Sequence, residues 1–314
     1  MTAPSARTAS PGLHHVTAIA GAPRRNLAFY TGLMGLRLVK KTVNFDDPGT
    51  WHLYYGDAAG TPGSILTFFP WPNAAPGRVG PGETGETSFV APEGSLGFWR
   101  ERLAQAGVAT EDAARFGRPV LTFADPDGMR LAIAEGAEGA GGPAWTGADA
   151  PAEAAIRGFA GVTLGVREPA RTAAVLTGIF GYEEIAEDGP RQRFAASGDG
   201  LGGVIDLVTV EGERGRLGAG TVHHIAFRAR DDAEQAAMAE RLRAELGIAT
   251  TEQKDRNYFR SVYFREPGGV LFEIATDEPG FAVDEPAETM GSRLMLPAQY
   301  EARRARIEAV LPPL

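Results

Sequence analysis

No cysteine occurs among the 314 residues. Disulfides, thiolate nucleophiles and thiolate metal sites are excluded together, and any metal must be held by nitrogen and oxygen. Positive charge is also short: 31 Lys and Arg stand against 40 Asp and Glu, a formal charge of −9. A surface with that balance repels phosphate backbones and anionic bilayers, so neither nucleic acid nor a membrane is expected as a partner. No stretch reaches the roughly 20 apolar residues of a membrane span, and residues 1–11 lack a signal-like apolar run, so a cytoplasmic setting is expected. What is plentiful is glycine, at 41 residues, and proline, at 22, beside a hydrophobic fraction of 43%. That combination favours many short strands joined by turns around a substantial core over a bundle of helices.

Four segments repeat one order of elements: an apolar strand, an amphipathic helix, a glycine, then two or three more strands. The first begins at His14-His15-Val16-Thr17 with a helix over 24–33. The second has a helix over 95–106, where Leu96, Trp99, Leu103 and Ala106 recur at helical spacing. Helices over 169–179 and 231–246 belong to the third and fourth. Matched turns, Asp125-Pro126-Asp127-Gly128 and Glu266-Pro267-Gly268-Gly269, precede the last strands of the second and fourth segments. One βαβββ module leaves a sheet face uncovered, so modules are expected in pairs, giving an α+β chain of four modules in two barrel-like domains. The Gly/Ala/Pro-rich stretch 136–157 reads as a linker between a domain at 12–135 and another at 158–290, each of two modules. Residues 291–314 read as a docking segment, and 211–220 as an exposed loop.

Only five histidines occur, and four form two adjacent pairs, His14-His15 and His223-His224. Random placement of five in 314 gives about 0.06 adjacent pairs, so the doubling needs a reason. Both pairs open a strand. Alternation along a strand sends the two members of a pair to opposite faces, which selects one of each as a candidate ligand, here His15 and His224. Imidazoles at strand starts are also commonly satisfied by backbone alone. A third ligand is offered by Val270-Leu271-Phe272-Glu273-Ile274-Ala275, where Glu273 interrupts a sheet-forming run and would be costly to bury unpaired. Aligning the repeats puts Ala132 opposite Glu273 and Gly161 opposite His15. One metal site per chain is therefore expected, assembled from the first and fourth segments, which requires the chain ends to meet. Two imidazoles and a carboxylate suit octahedral Fe(II) or Mn(II), and zinc stays open. His52, beside Phe45, Trp51 and Tyr54, reads as a packing residue.

At these residues the sequence resembles the vicinal oxygen chelate superfamily of glyoxalases, bleomycin resistance proteins and extradiol dioxygenases. It is most similar to the ring-cleaving branch that acts on hydroquinones. The resemblance is carried by Leu13-His14-His15-Val16-Thr17, Val222-His223-His224-Ile225-Ala226-Phe227, Arg256-Asn257-Tyr258-Phe259, the run Ser261 to Gly269 and Leu271-Phe272-Glu273-Ile274-Ala275-Thr276. It implies Fe(II) on His15, His224 and Glu273, with His14 and Thr17 in the substrate pocket and His223, Tyr263 and Arg256 in catalysis. It also implies a hydroquinone or catechol-like diol and O2 as substrates. In that chemistry the metal passes electron density from ring to O2, a group titrating near neutrality, His223 or Tyr263, moves protons, and Arg256 steadies negative charge.

Two rival classes share the scaffold. A glyoxalase-like isomerase or lyase uses a divalent metal without O2, and a small-molecule-sequestering resistance protein needs no metal triad. A homodimer or homotetramer is a base-rate expectation.

Overall fold

The computed structural model describes residues 12–136, 141–147, 149–197 and 201–314. The first unit comprises β1 (Leu13–Ala20), α1 (Pro23–Leu27), β2 (Arg37–Asn44), β3 (Asp47–Gly56) and β4 (Ile65–Pro70), with a π-helical stretch, Ala28–Leu33, continuing α1. The second comprises β5 (Glu83–Pro92), α2 (Leu96–Gln105), β6 (Thr110–Arg115), β7 (Arg118–Ala124) and β8 (Arg130–Gly136). The third holds β9 (Gly158–Val166), α3 (Pro169–Gly178), β10 (Glu183–Asp188), β11 (Arg191–Ala195) and β12 (Val204–Thr209). The fourth holds β13 (Thr221–Ala229), α4 (Asp232–Leu246), β14 (Lys254–Asp255), β15 (Arg260–Arg265) and β16 (Leu271–Thr276). Four βαβββ units thus curl into two half-barrel sheets, as the repeats predict.

The helix limits follow from local chemistry. Asp231 caps α4 by accepting from the Glu234 amide at 2.9 Å, and Glu234 reaches back to the Arg230 amide at 2.6 Å. Gly247, at φ 67°, closes the same helix in the left-handed conformation.

The pairing of units runs across the stretch 136–157. One eight-stranded sheet runs β14-β15-β16-β13-β1-β4-β3-β2, and the other β10-β11-β12-β9-β5-β8-β7-β6. Sheets therefore join the first unit to the fourth and the second to the third, across the two halves of the sequence. Similarity between repeats identifies modules but is silent on which first strands pair, because that choice is made by long-range packing. Within each half, the two consecutive units are instead linked through helix ends. Arg102 of α2 donates to the carbonyls of Leu33 (2.8 Å) and Gly32 (2.7 Å), and Arg241 of α4 donates to those of Ile179 (3.3 Å) and Gly178. A cation at a helix C-terminus is favourable in both places.

Two further segments lock the first sheet. Lys40 of β2, fully buried, holds Asp284 and Glu285 at 2.6 Å each, fastening the chain after β16 onto the first unit. Beyond it lie α5 (Ala298–Glu301) and α6 (Arg304–Val310). Ile307 packs with Val43 and Leu296, and the Trp51 indole donates to the Pro312 carbonyl at 2.7 Å. Burying a side chain such as Ile307 contributes about 1.5–3 kcal/mol. The 211–220 loop is pinned rather than free: Arg78 and Arg216 exchange two backbone hydrogen bonds of 2.8 Å.

Candidate metal centre

Antiparallel pairing of β1 with β13 builds the site. The register runs Leu13 to Phe227 and then His15 to Ala226, and further along Thr17 to His224 and then Ala18 to Val222. His14 and His223 are thus the extra residues of two β-bulges, one on each strand. A bulge takes side chains out of strict alternation. Each doubled histidine is consequently in contact with itself: His14 Nδ1 lies 2.9 Å from His15 Nδ1, and His223 Nδ1 lies 2.8 Å from His224 Nδ1.

The other nitrogens of His15 and His224 converge. Their Nε2 atoms are 3.3 Å apart, and Glu273 Oε2 stands 3.4 Å from His15 Nε2 and 2.9 Å from His224 Nε2. All three residues are buried, and they are the group of metal-ligating type found among the described residues. Glu273 sits between Ala226 of β13 and Tyr263 of β15, and its Oε1 accepts from the Ser261 hydroxyl at 2.5 Å. Its Oε2, though buried, accepts no hydrogen bond of normal geometry. A buried carboxylate oxygen without a donor is costly, and a divalent cation facing it and two imidazole lone pairs removes that cost. The residues therefore fit a metal ion with nitrogen and oxygen preference.

Electrostatics agree with ligand roles. Burial opposes the charge of Glu273, but His15 and His224 more than offset it and hold the carboxyl well below its ordinary value. Burial lowers the His224 imidazole, which favours the neutral ring a metal needs. If Nε2 of each ligand faces the ion, the ring proton resides on Nδ1 and is donated to the preceding histidine. His14 and His223 then carry their own protons on Nε2. His14 is kept neutral chiefly by burial and is hydrogen-bonded to the Thr276 backbone, while His223 is brought down to about 3 by burial and by His224. The expectation that His223 titrates near neutrality is not met, because its ring is buried beside a second imidazole.

A cavity of about 170 Å³ opens over the triad. An apolar cavity of about 150 Å³ accommodates benzene, so this one suits a single ring. Phe45, Phe69, Trp71 and Phe259 supply aromatic wall, and Thr17, His52, Tyr54, His223, Arg256 and Tyr263 supply polar groups. Arg256 donates through Nε to the Tyr263 hydroxyl at 3.2 Å and through Nη2 to Asp46 at 3.1 Å, which ties the fourth unit to the β2–β3 turn of the first. Burial and the nearby Glu273 raise the Tyr263 hydroxyl, so it stays protonated.

The expected residues His15, Thr17, His223, His224, Arg256, Tyr263 and Glu273 all line this cavity. His14 does not. It is buried behind His15 against Phe259, with ring centroids 5.0 Å apart, because the bulge turns it away from the cavity. His52, read as packing, faces the cavity with Tyr54; both lie on one face of β3, and their two-residue spacing was the available signal. In the second sheet Gly161 and Ala132 stand where His15 and Glu273 would be, and a Cβ on Gly161 would meet the Val204 carbonyl oxygen at 2.1 Å. That close strand approach excludes a ligand side chain at this position.

Comparison with known proteins divides the chain on either side of residues 136–157, with two consecutive units in each match. The profile of the "Glyoxalase/Bleomycin resistance protein/Dioxygenase superfamily" matches residues 12–133 and 158–274. The chain is 50% identical over 302 residues to "Putative ring-cleaving dioxygenase MhqO" of Bacillus subtilis (strain 168), covering 96% of each chain. It is 34% identical over 297 residues to "Chlorohydroquinone/hydroquinone 1,2-dioxygenase" of Sphingobium indicum, covering 92% of each. A crystal structure titled as a "putative dioxygenase" from Bacillus subtilis superposes with a TM-score of 0.94 at 49% identity, covering 98% of each chain.

Proposed function

Because this chain belongs to the glyoxalase/bleomycin resistance protein/dioxygenase superfamily, we propose that it is a ring-cleaving dioxygenase that opens a hydroquinone-type diol with O2, using Fe(II), with Mn(II) as the alternative ion. The observation that carries this reading is the convergence of His15 Nε2, His224 Nε2 and Glu273 Oε2 under a cavity of single-ring size. Two imidazoles and one carboxylate hold an octahedral ion at three positions and leave the rest for reactants. When bound, Fe(II) supplies an electron path between an electron-rich ring and O2, so no separate redox cofactor is required. In the overall reaction both atoms of O2 enter the product as one ring carbon–carbon bond is broken.

The other work falls to the side chains. Phe69, Trp71 and Phe259 exclude water and confine the ring, which replaces an encounter of separate molecules by a fixed geometry. His223 holds a proton at Nε2, and Tyr263 holds one at its hydroxyl; both are groups from which a ring oxygen can be protonated or hydrogen-bonded. Arg256, charged at any relevant pH and fixed by Asp46 and Tyr263, stabilises negative charge as it builds on those oxygens. The preference for a para-diol is supported by the name of the Sphingobium relative. The residues of the site all come from one chain, so assembly into dimers or tetramers is not needed to complete it.

The test is anaerobic loading with Fe(II), addition of hydroquinone, and measurement of O2 uptake. One O2 consumed per ring opened, with loss of uptake in Glu273→Gln, is the expected result. Tight binding of one iron per chain without O2 consumption on any hydroquinone or catechol overturns the reading. Turnover without O2 would assign the chain to the isomerase class instead.

A further inference from the structure

The register of the first sheet relates its two halves residue by residue. In the fourth unit Ala226 pairs with Glu273, and Glu273 with Tyr263. In the first unit Thr17 pairs with Thr67, and Thr67 with Tyr54. Thr67 therefore occupies the place of Glu273, Tyr54 that of Tyr263, and His52 that of Ser261. Where one half presents an anion to the ion, the other presents a line of neutral hydrogen-bonding groups. Tyr54 Oη lies 2.9 Å from His52 Nδ1, His52 Nε2 lies 2.7 Å from Thr67 Oγ1, and Thr67 Oγ1 lies 3.1 Å from Thr17 Oγ1. Thr67 is fully buried and does not line the cavity; Thr17, at the end of the line, does.

The line has one favoured direction. Among the described residues the Tyr54 hydroxyl has His52 Nδ1 as its acceptor and no other. The Thr67 hydroxyl donates to Thr17, so it accepts from His52 Nε2, which leaves His52 Nδ1 to accept the Tyr54 proton. With Tyr54 donating, His52 bears its proton on Nε2 and donates to Thr67. The Thr67 hydroxyl then donates to Thr17, whose own hydrogen is left to point into the cavity.

We propose that Tyr54, His52 and Thr67 are positioning residues that fix the Thr17 hydroxyl as a donor to an oxygen of the bound aromatic ligand, selecting that oxygen as a phenolate or carbonyl. The aromatic nature of the ligand rests on the ring-cleavage reading above. Because the line ends in a donor and the free lone pair of its one imidazole is already engaged by the Tyr54 hydroxyl, it does not take up the ring proton. It favours an oxygen that has already lost one.

The probe is 4-nitrocatechol, whose visible absorption reports ionisation of its hydroxyls, titrated without O2 onto the iron-loaded enzyme. Thr67→Val, nearly isosteric and outside the cavity, is expected to weaken probe binding roughly tenfold and to raise the pH at which the bound probe ionises by about one unit. Thr67→Ser restores both. Thr17→Val reproduces the loss, and the double variant Thr17→Val/Thr67→Val adds nothing, since the two act in series. Unchanged titrations in Thr67→Val, or fully additive losses in the double variant, overturn the proposal. So does a loss of iron in Thr67→Val with an unaltered titration per bound iron. Should Thr67→Val not fold, Tyr54→Phe frees the His52 ring to reverse and is expected to raise the probe's ionisation pH; no change there overturns the proposal as well. The titration requires no turnover. A wild-type protein that binds and ionises the probe without consuming O2 sinks the ring-cleavage reading and leaves the donor line standing.

Discussion

The Tyr30 hydroxyl donates to Asp125 Oδ2 at 3.0 Å, tying the helical segment of the first unit to the Asp125–Gly128 turn of the second. Its counterpart in the other half is Thr172, which donates to Glu266 Oε2 at 2.7 Å. Both carboxylates also accept backbone amides of their own turns: Asp125 from Asp127 and Met129, and Glu266 from Gly268 and Val270. Within each half of the chain the two consecutive units are thus clasped at a turn, while their strands pair with units of the other half. Tyr30→Phe leaves Asp125 Oδ2 buried without its donor and is expected to cost about 1–3 kcal/mol in urea unfolding, with iron binding unaffected.

Lys40 carries a different kind of risk. With its ammonium removed, buried Glu285 loses its counter-charge beside half-buried Asp284, and Glu285 Oε1 already lacks a partner. Lys40→Met is expected to destabilise the fold by about 3–5 kcal/mol, seen as a lower Tm. A second variant that also replaces Glu285 by Gln should recover part of that loss.

His14 reaches the site indirectly, through His15 and Phe259. Replacing it by Phe removes the Nδ1 partner that fixes the His15 tautomer while filling the same space. Metal affinity, measured by competition with a chelator, is expected to fall about 10–100-fold. At saturating iron, turnover should largely return, whereas Glu273→Gln stays inactive.

His52 provides a pH test in the metal-free protein. Burial, followed by His15, His224 and Arg256, pushes its imidazole well below the ordinary value of about 6.5. Between the folded value and 6.5 the unfolded chain binds the extra proton, so stability rises with pH across that window and is fully present above it. The Tm of the metal-free enzyme should therefore fall between pH 7 and pH 5, and fall less in His52→Gln.

The sequence made the ligands legible because each broke a local rule: doubled histidines at strand starts, and Glu273 inside an apolar strand. The four units were legible from helical spacing and from the matched turns at Asp125 and Glu266. What stayed hidden depends on register. Alternation lets one member of each pair face the cavity and so sets His14 apart from His15, as found; it was the family resemblance that placed His14 in the pocket, and alternation gave no hint that His223 faces the cavity beside His224, because a bulge is decided by the partner strand. Which units share a sheet stayed hidden for the same reason, although the requirement that His15 meet Glu273 already demanded the first unit beside the fourth. His52 was passed over because a lone histidine among aromatics looks like packing until Thr67 and Thr17 are seen beside it.

The metal-ligating triad is made of residues 15, 224 and 273, and that spacing sets a timetable for synthesis. A nascent chain on the ribosome can pair its second and third units while β1 still waits for β13 and β16 to emerge. Iron cannot be captured before then, so loading is confined to chains that have received their fourth unit, and a prematurely terminated product never acquires a reactive metal.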